Sequence, residues 1–305
     1  MNFAEILFLA MLLDAMMGEP AWLWSRAPHP AVVIGRVIGW ADKQFNKGPA
    51  RRMKGAALVL VLCTTGAALG LALAALPGGW IVQLIAAAIL LAQKSLVAHV
   101  RDVARGLRAS IGAGRQAVAQ IVGRDTTDLD AAGISRAAIE SAAENLSDGV
   151  VAPAFWFLLL GLPGMLVYKI VNTADSMIGY RTDRHREFGW AAARLDDVLN
   201  WIPARLTALV TAAATGRLGQ MRAIGGDAKL HRSPNAGWPE AAFARSLGVA
   251  LAGPRSYDGK LQDFPYVNVS GAKDIGPAEV GRAAGLLWRV WAACALIVLV
   301  TAVLA

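Results

Sequence analysis

The sequence predicts an all-α, polytopic integral membrane protein with about four spans, a re-entrant or broken helical hairpin, and cytoplasmic helical segments. Three observations predict it. The 305 residues are 56% hydrophobic and only 17% charged, less charge than a soluble domain of this length carries. Ala56 to Leu76 contains no charge and Ala284 to Ala305 only Arg289, and each stretch is long enough for one crossing. Trp80, Trp288 and Trp291 sit at or near the ends of such stretches, where amphipathic rings favour the headgroup layer.

Taken in order, Phe3 to Met17 is apolar but short and interrupted by Asp14, so it reads as a short or tilted span. It lacks a basic n-region and a small-residue cleavage site, which makes it a retained helix and not a signal peptide. Gly18-Glu19-Pro20 and a Pro-rich turn with His29 follow. Lys43, Lys47, Arg51, Arg52 and Lys54 then crowd the entrance of the first clear span, the positive-inside signature of a cytoplasmic loop. Pro77-Gly78-Gly79 leaves only a tight turn between Ala56–Leu76 and Ile81–Ala98. The two form a hairpin with both outer ends in the cytoplasm, completing an N-terminal membrane segment over 1–98.

From 99 to 149 the pattern becomes amphipathic and charged, with Arg101, Arg105 and Arg108 at helical spacing and a second helix starting near Thr127 or Asp130. This is a cytoplasmic helical segment. Val150 to Val171 is long enough to span, yet Gly161-Leu162-Pro163-Gly164 breaks it. A true crossing would put the polar residues before and after it in different compartments. A re-entrant hairpin keeps them together, and broken backbone at membrane depth is tolerated where protein or a wet cavity covers it. With the short apolar run Ile202 to Thr215, this forms a third segment over 150–217. A cytoplasmic loop segment over 218–281 and a C-terminal membrane helix over 282–305 complete the chain, with no internal repeat or low-complexity tract.

The net charge of +8 does not indicate nucleic acid, because no basic cluster is interleaved with stacking aromatics. Cys63 and Cys294 fall inside predicted spans and read as small buried apolar side chains, without a disulfide or zinc role. Cys/His metal spacing, a Gly-x-Ser-x-Gly elbow, a Walker A loop and a dinucleotide fingerprint are all absent from the sequence. A nucleotide, if used, is held in a non-standard way.

Ionisable groups beside hydrocarbon are costly, so a chain that gathers them there uses them to hold a charged ligand, a metal ion, or both. Arg136, Glu140, Glu144 and Asp148 recur every four residues, along nearly one helix face. A surface ladder of ion pairs has the same spacing. Here three acids stand against one arginine and the helix leads into an apolar run, which favours ligand binding. Gly123-Arg124-Asp125-Thr126 ahead of it joins a turn, a cation and two oxygen-bearing side chains, a pattern that by itself is also an ordinary helix cap. Asn172 and Asp175 lie three apart on one helical face, with Gly179 admitting close approach. Asp196 and Asn200 repeat the arrangement four apart, with Arg194, Asp197 and Arg205 nearby. Carboxylates with carboxamides suit Mg2+, a hard cation that keeps waters and substrate phosphates; guanidiniums suit bidentate phosphate or carboxylate binding. His231 reads as a solvated loop histidine.

The ordered motifs GRDT from Gly123, RAAIESAAENLSDGVVAP from Arg136, NTADSMIGY from Asn172, FG at Phe188-Gly189, ARLDDVLNWIPARL from Ala193, SPNAGWPEAAFA from Ser233 and the Tyr257-x-Gly259 turn resemble the membrane-bound adenosylcobinamide-phosphate synthase family of cobalamin biosynthesis, CobD or CbiB. The resemblance runs from Gly18-Glu19-Pro20 and His29-Pro30 to about Gly259, in the family's order. Departures are small: Glu19 where Asp is frequent, Ala31 after His-Pro where Val is usual, Leu146-Ser147 where Thr and an apolar residue are usual, and Ala252 where Gly is common.

The resemblance implies ATP-dependent amide formation between the propionate of adenosylcobyric acid and aminopropanol phosphate, with Mg2+, at the cytoplasmic face of a bacterial inner membrane. For that chemistry the catalytic candidates are Glu140, Glu144, Asp148 and Asp197, and the metal candidates are Asp125, Asp175 and Asp196. Arg124, Arg136, Asn145, Asn172, Arg181, Arg194, Asn200, Arg205, Ser233 and Asn235 are candidates for substrate and phosphate. Trp156, Trp201 and Trp238 suit either the apolar-edged corrin or ordinary packing. A homo-oligomer and a complex with other cobalamin-assembly enzymes both stay open. A corrinoid transporter would spread polar residues through several spans in pseudo-symmetric halves, and a non-catalytic sensor would lack the acid and Arg cluster. Here the cluster is present and local.

Overall fold

The computed structural model describes residues 1–123, 125–257, 260–262 and 264–304. Fourteen helices are found among them: α1 Phe3–Met17, α2 Ala21–Trp24, α3 Pro30–Phe45, α4 Arg51–Ala74, α5 Gly79–Leu90, α6 Gln93–Ala109, α7 Ile111–Val118, α8 Ala131–Leu146, α9 Ala152–Ile178, α10 Trp190–Leu199, α11 Trp201–Ala214, α12 Met221–Ala228, α13 Gly237–Leu247 and α14 Pro277–Leu304. Four helical stretches, Arg51–Ala74, Gly79–Ala109, Ala131–Ile178 and Pro277–Leu304, are long and apolar enough to cross a membrane. The chain is an all-α, multi-pass membrane protein. It divides into unit 1, of Met1–Ala92, Ala152–Trp201 and Ile297–Ala305, and unit 2, of Gln93–Val151 and Ile202–Leu296.

In unit 1, Asn2 and Glu5 form a reciprocal capping box that starts α1. Helices α4 and α9 approach through glycine. A Cβ at Gly66 would lie 2.4 Å from Ile170, one at Gly70 2.6 Å from Pro163, and one at Gly55 1.8 Å from the Phe188 carbonyl oxygen. The Gly66–Ile170 and Gly70–Pro163 contacts fix the direction: the 162–178 arm of α9 runs antiparallel to α4, and Gly55 meets the turn after it. Leu60, Val61, Leu69 and Leu71 on α4 are exposed, as suits a helix facing lipid.

The predicted break falls at Gly161, whose φ 66 and ψ −156 are not helical. A Cβ on Gly164 would meet the Trp156 carbonyl oxygen at 2.6 Å, whereas eight residues of continuous helix rise about 12 Å. The Trp156 indole donates to the Leu199 carbonyl (3.1 Å) and the Tyr168 hydroxyl to Asn200 (2.9 Å). Both arms therefore border the C-terminal end of α10, giving the broken hairpin. The second arm of the predicted N-terminal hairpin, Ile81–Ala98, is not one regular helix: Leu91 is extended at ψ 155 and separates α5 from α6.

Unit 2 is built on α8, eleven of whose sixteen residues are buried, capped by Asp130 accepting the Gly133 N–H at 2.6 Å. Ile134, Ile139 and Leu146 of α8 share a core with Val100 and Val103 of α6, Phe243 of α13 and Leu287 of α14. Ser147–Val151 is a π turn. Two antiparallel ladders, β1 (Leu251–Ala252) with β4 (Tyr266–Val267) and β2 (Arg255–Tyr257) with β3 (Lys260–Gln262), lie in the segment predicted as loop.

Candidate functional site

The predicted site residues fall into both units, and each unit brings its own set together. In unit 1, α10 enters beside α9 because Gly189 lets the chain pass close: a Cβ there would lie 1.6 Å from the Ile178 carbonyl oxygen. This places Asp196 between two carboxamides. Asn172 donates to one carboxylate oxygen at 3.3 Å and Asn200 to the other at 3.0 Å. Asn200, itself buried, accepts the Tyr168 hydroxyl. The four form one continuous hydrogen-bonded chain. Tyr168 was not legible as a polar site residue, because it sits in an apolar run and no spacing rule pairs it with Asn200.

Asp197, on the next residue, lies 3.6 Å from the largely exposed Arg194. Burial pushes both carboxyls above the usual aspartate range. For Asp196 burial outweighs the lowering by the Asn200 and Asn172 amides, and Asp197 adds to the rise. For Asp197 burial outweighs the attraction of Arg194 and Arg181. The Asp175 carboxylate lies against Gly179, where a Cβ would meet it at 1.9 Å, so this glycine admits a side chain of the protein itself. At the α3 end, Arg184 pairs with Asp42 at 2.5 Å, His185 with the same carboxylate at 3.5 Å, and Arg52 stacks on Trp190 at 3.8 Å. The basic loop after α3 and the turn before α10 are thereby tied together.

In unit 2, the predicted acidic face of α8 divides. Glu140 is 6% exposed and accepts the Ala252 N–H at 2.7 Å. Glu144 and Asn145 are exposed, the Asn145 amide donating to the Ser141 carbonyl at 2.9 Å. Asp148 stands in the π turn and so leaves the four-residue register. Arg136 donates to the Lys273 carbonyl at 3.1 Å. Asp125 accepts the Thr127 N–H at 2.9 Å, the local turn its sequence allows. Arg124 lies outside the described residues, as does Gly259 of the Tyr257-x-Gly259 turn.

A second group in unit 2 forms where α12 meets α13. Arg205 donates to Asn235 at 3.2 Å and lies 4.9 Å over the Trp238 ring. Ser233 accepts the N–H groups of Asn235 and Ala236, each at 3.2 Å, and so caps the turn. His231, expected to be solvated, accepts the Ser233 N–H at 3.0 Å and faces the buried Glu240 at 3.5 Å. Glu240 went unread as a site residue for want of any spacing signal across nine residues. Among the described residues, no three of His, Cys, Asp and Glu converge as a metal site.

Comparison with known proteins accords with these motifs. Residues 7–287 match the family model described as "CobD/Cbib protein". The chain is 50% identical over 301 residues to the cobalamin biosynthesis protein CobD of Brucella suis, covering 93% of this chain and 92% of that one. It is 44% identical over 315 residues to that of Sinorhizobium fredii, with 98% and 96% covered, and 45% identical over 311 residues to that of Rhodobacter capsulatus, with 100% and 99% covered. No solved structure matches. A family match over nearly the whole length, together with relatives at this identity, places the chain in the CobD/Cbib family of cobalamin biosynthesis proteins.

Proposed function

We propose that the protein is an ATP-dependent amide ligase that joins adenosylcobyric acid to aminopropanol phosphate, giving adenosylcobinamide phosphate. The observation that carries this reading is the meeting, within unit 1, of the half-buried Asp197 carboxyl with the guanidiniums of Arg194 and Arg181, next to Asp196 held between two carboxamides. A carboxylate is a poor electrophile. Its oxygen attacks the γ-phosphorus of ATP, ADP leaves, and an acyl phosphate results. The amine nitrogen then attacks the acyl carbon and inorganic phosphate departs. The amine must shed a proton, and a carboxylate with a raised pKa is a fitting acceptor; Asp197 takes this role. Arg181 and Arg194 brace phosphate oxygens.

In this reading Asp196 is held by its carboxamide partners as a positioning group. Bound with ATP, Mg2+ would neutralise phosphate charge, a role open to a hard cation that keeps phosphate oxygens and water as ligands. Within unit 2 by itself, Arg205, Asn235 and Trp238 gather a cation, an amide and a ring suited to a corrin side chain. The basic loop of Lys43, Lys47, Arg51, Arg52 and Lys54 supports a cytoplasmic orientation for the α10 end of unit 1 in this reading.

The test is purified protein in detergent with adenosylcobyric acid, aminopropanol phosphate, ATP and Mg2+. Product and ADP should appear in equal amounts, and none without ATP. Folded protein that forms no product, or product without ADP, refutes the reaction as written.

A further inference from the structure

Arg101, Arg105 and Arg108 take no part in the proposed reaction, yet they line one cavity. In unit 2 a pocket of about 520 Å³ is bounded by Ala98, Arg101, Ala104, Arg105 and Arg108 of α6 and by Gly281 of α14. The arginines stand at i, i+4 and i+7, one face of the helix, where like charges repel. Arg105 is paired with Asp102. Among the described residues Arg101 and Arg108 have no hydrogen-bond or ion-pair partner, and the acid beside Gly281, Glu279, is taken by Arg282 at 3.3 Å.

The helix cannot rotate to relieve this repulsion, because its other face buries Leu96, Val97, Val100 and Val103 in the unit 2 core. Gly281 leaves the space beside Arg108 open; even a Cβ there would stand only 3.6 Å from the guanidinium. An arginine in a last helical turn also complements the helix dipole. That accounts for Arg108, and not for three guanidiniums around one cavity.

We propose that this pocket binds a phosphate-bearing anion, from either a soluble phosphate compound or the headgroup of an anionic phospholipid. Guanidinium forks match phosphate oxygens two at a time. A lipid source is chemically open because α6 belongs to the Gly79–Ala109 stretch that is apolar enough to cross a membrane.

The test titrates the full chain in neutral detergent, by calorimetry, with inorganic phosphate, short-chain phosphatidylglycerol and short-chain phosphatidylcholine. The variants are Arg101→Gln/Arg108→Gln, which alters only exposed side chains, and Gly281→Leu, which fills the cavity. Arg217→Gln, an exposed arginine elsewhere in unit 2, is the charge control. At least one of the two anions should bind the parent and the control alike, about tenfold or more weaker to both pocket variants, while phosphatidylcholine does not bind. Binding of phosphate identifies the soluble source, and binding of phosphatidylglycerol alone the lipid source. The proposal is overturned if neither anion binds the parent, or if either pocket variant binds as the parent does.

Discussion

Glu140 holds the backbone of Ala252: its carboxylate accepts the Ala252 N–H at 2.7 Å inside the core of unit 2. A charged acceptor on a buried N–H is a strong bond, and its removal leaves that N–H without its acceptor. Glu140→Gln retains an acceptor oxygen and should stay within about 1 kcal/mol of the parent, with most of its turnover. Glu140→Ala should lose about 1–3 kcal/mol. Thermal unfolding in detergent beside the ligase assay separates the two. A Gln variant that unfolds like the parent and is dead would return Glu140 to the chemistry.

Ala252 itself carries φ 58, in the left-handed region that L side chains disfavour by about 1–2 kcal/mol. The family resemblance makes Gly common at this position, and a positive φ is a physical reason for it. Ala252→Gly relieves the strain and sacrifices about 0.5–1 kcal/mol of unfolded-chain restriction. The net expectation is a gain of up to about 1 kcal/mol, read as a higher melting temperature with unchanged turnover. A lower melting temperature would show that the methyl group packs better than the backbone suffers.

How far the sequence discloses this molecule depends on the range of the interaction. The spans, the break at Gly161 and the Asp130 cap follow from local chemistry: hydropathy, a Gly-Leu-Pro-Gly run, a capping side chain. The Asp196–Asn200 bond follows from helical spacing alone. By contrast, Asn172 reaches Asp196 and Tyr168 reaches Asn200 only because α10 packs on α9, and Glu140 reaches Ala252 across 112 residues. The same limit explains the acidic face of α8. Its four-residue spacing was legible, but burial on the Glu140 side and the π turn at Asp148 arise from packing and not from spacing.

Asp196 offers a pH test. Its folded carboxyl lies above the ordinary value of 3.8, so the folded state binds the proton more tightly than the unfolded chain. The resulting stability is fully present below that ordinary value and is lost as pH rises through the folded one. Relative to Asp196→Ala, the parent should therefore gain melting temperature as the buffer is taken from neutral pH down to the ordinary value of 3.8. A difference that stays flat, or that widens in the variant's favour as pH falls, would contradict the assigned direction.

Arg194 separates binding from stability most cleanly. Its partner Asp197 lies 3.6 Å away, and the arginine side chain is 62% exposed. Pairs of this kind contribute about 0–1 kcal/mol, so Arg194→Ala should leave folding and membrane content nearly unchanged. If Arg194 braces a phosphate, the Ala variant loses both charge and fork, while Arg194→Lys keeps the charge and loses only the planar two-donor geometry. The Lys variant should raise the Michaelis constant for ATP or aminopropanol phosphate, and lower turnover less than Ala does. The Ala variant should lose about tenfold or more in kcat/KM, the scale of one lost charge-assisted contact. Activity that falls only in proportion to the protein recovered in the membrane would make Arg194 a structural partner of Asp197, and the phosphate would then need another cation.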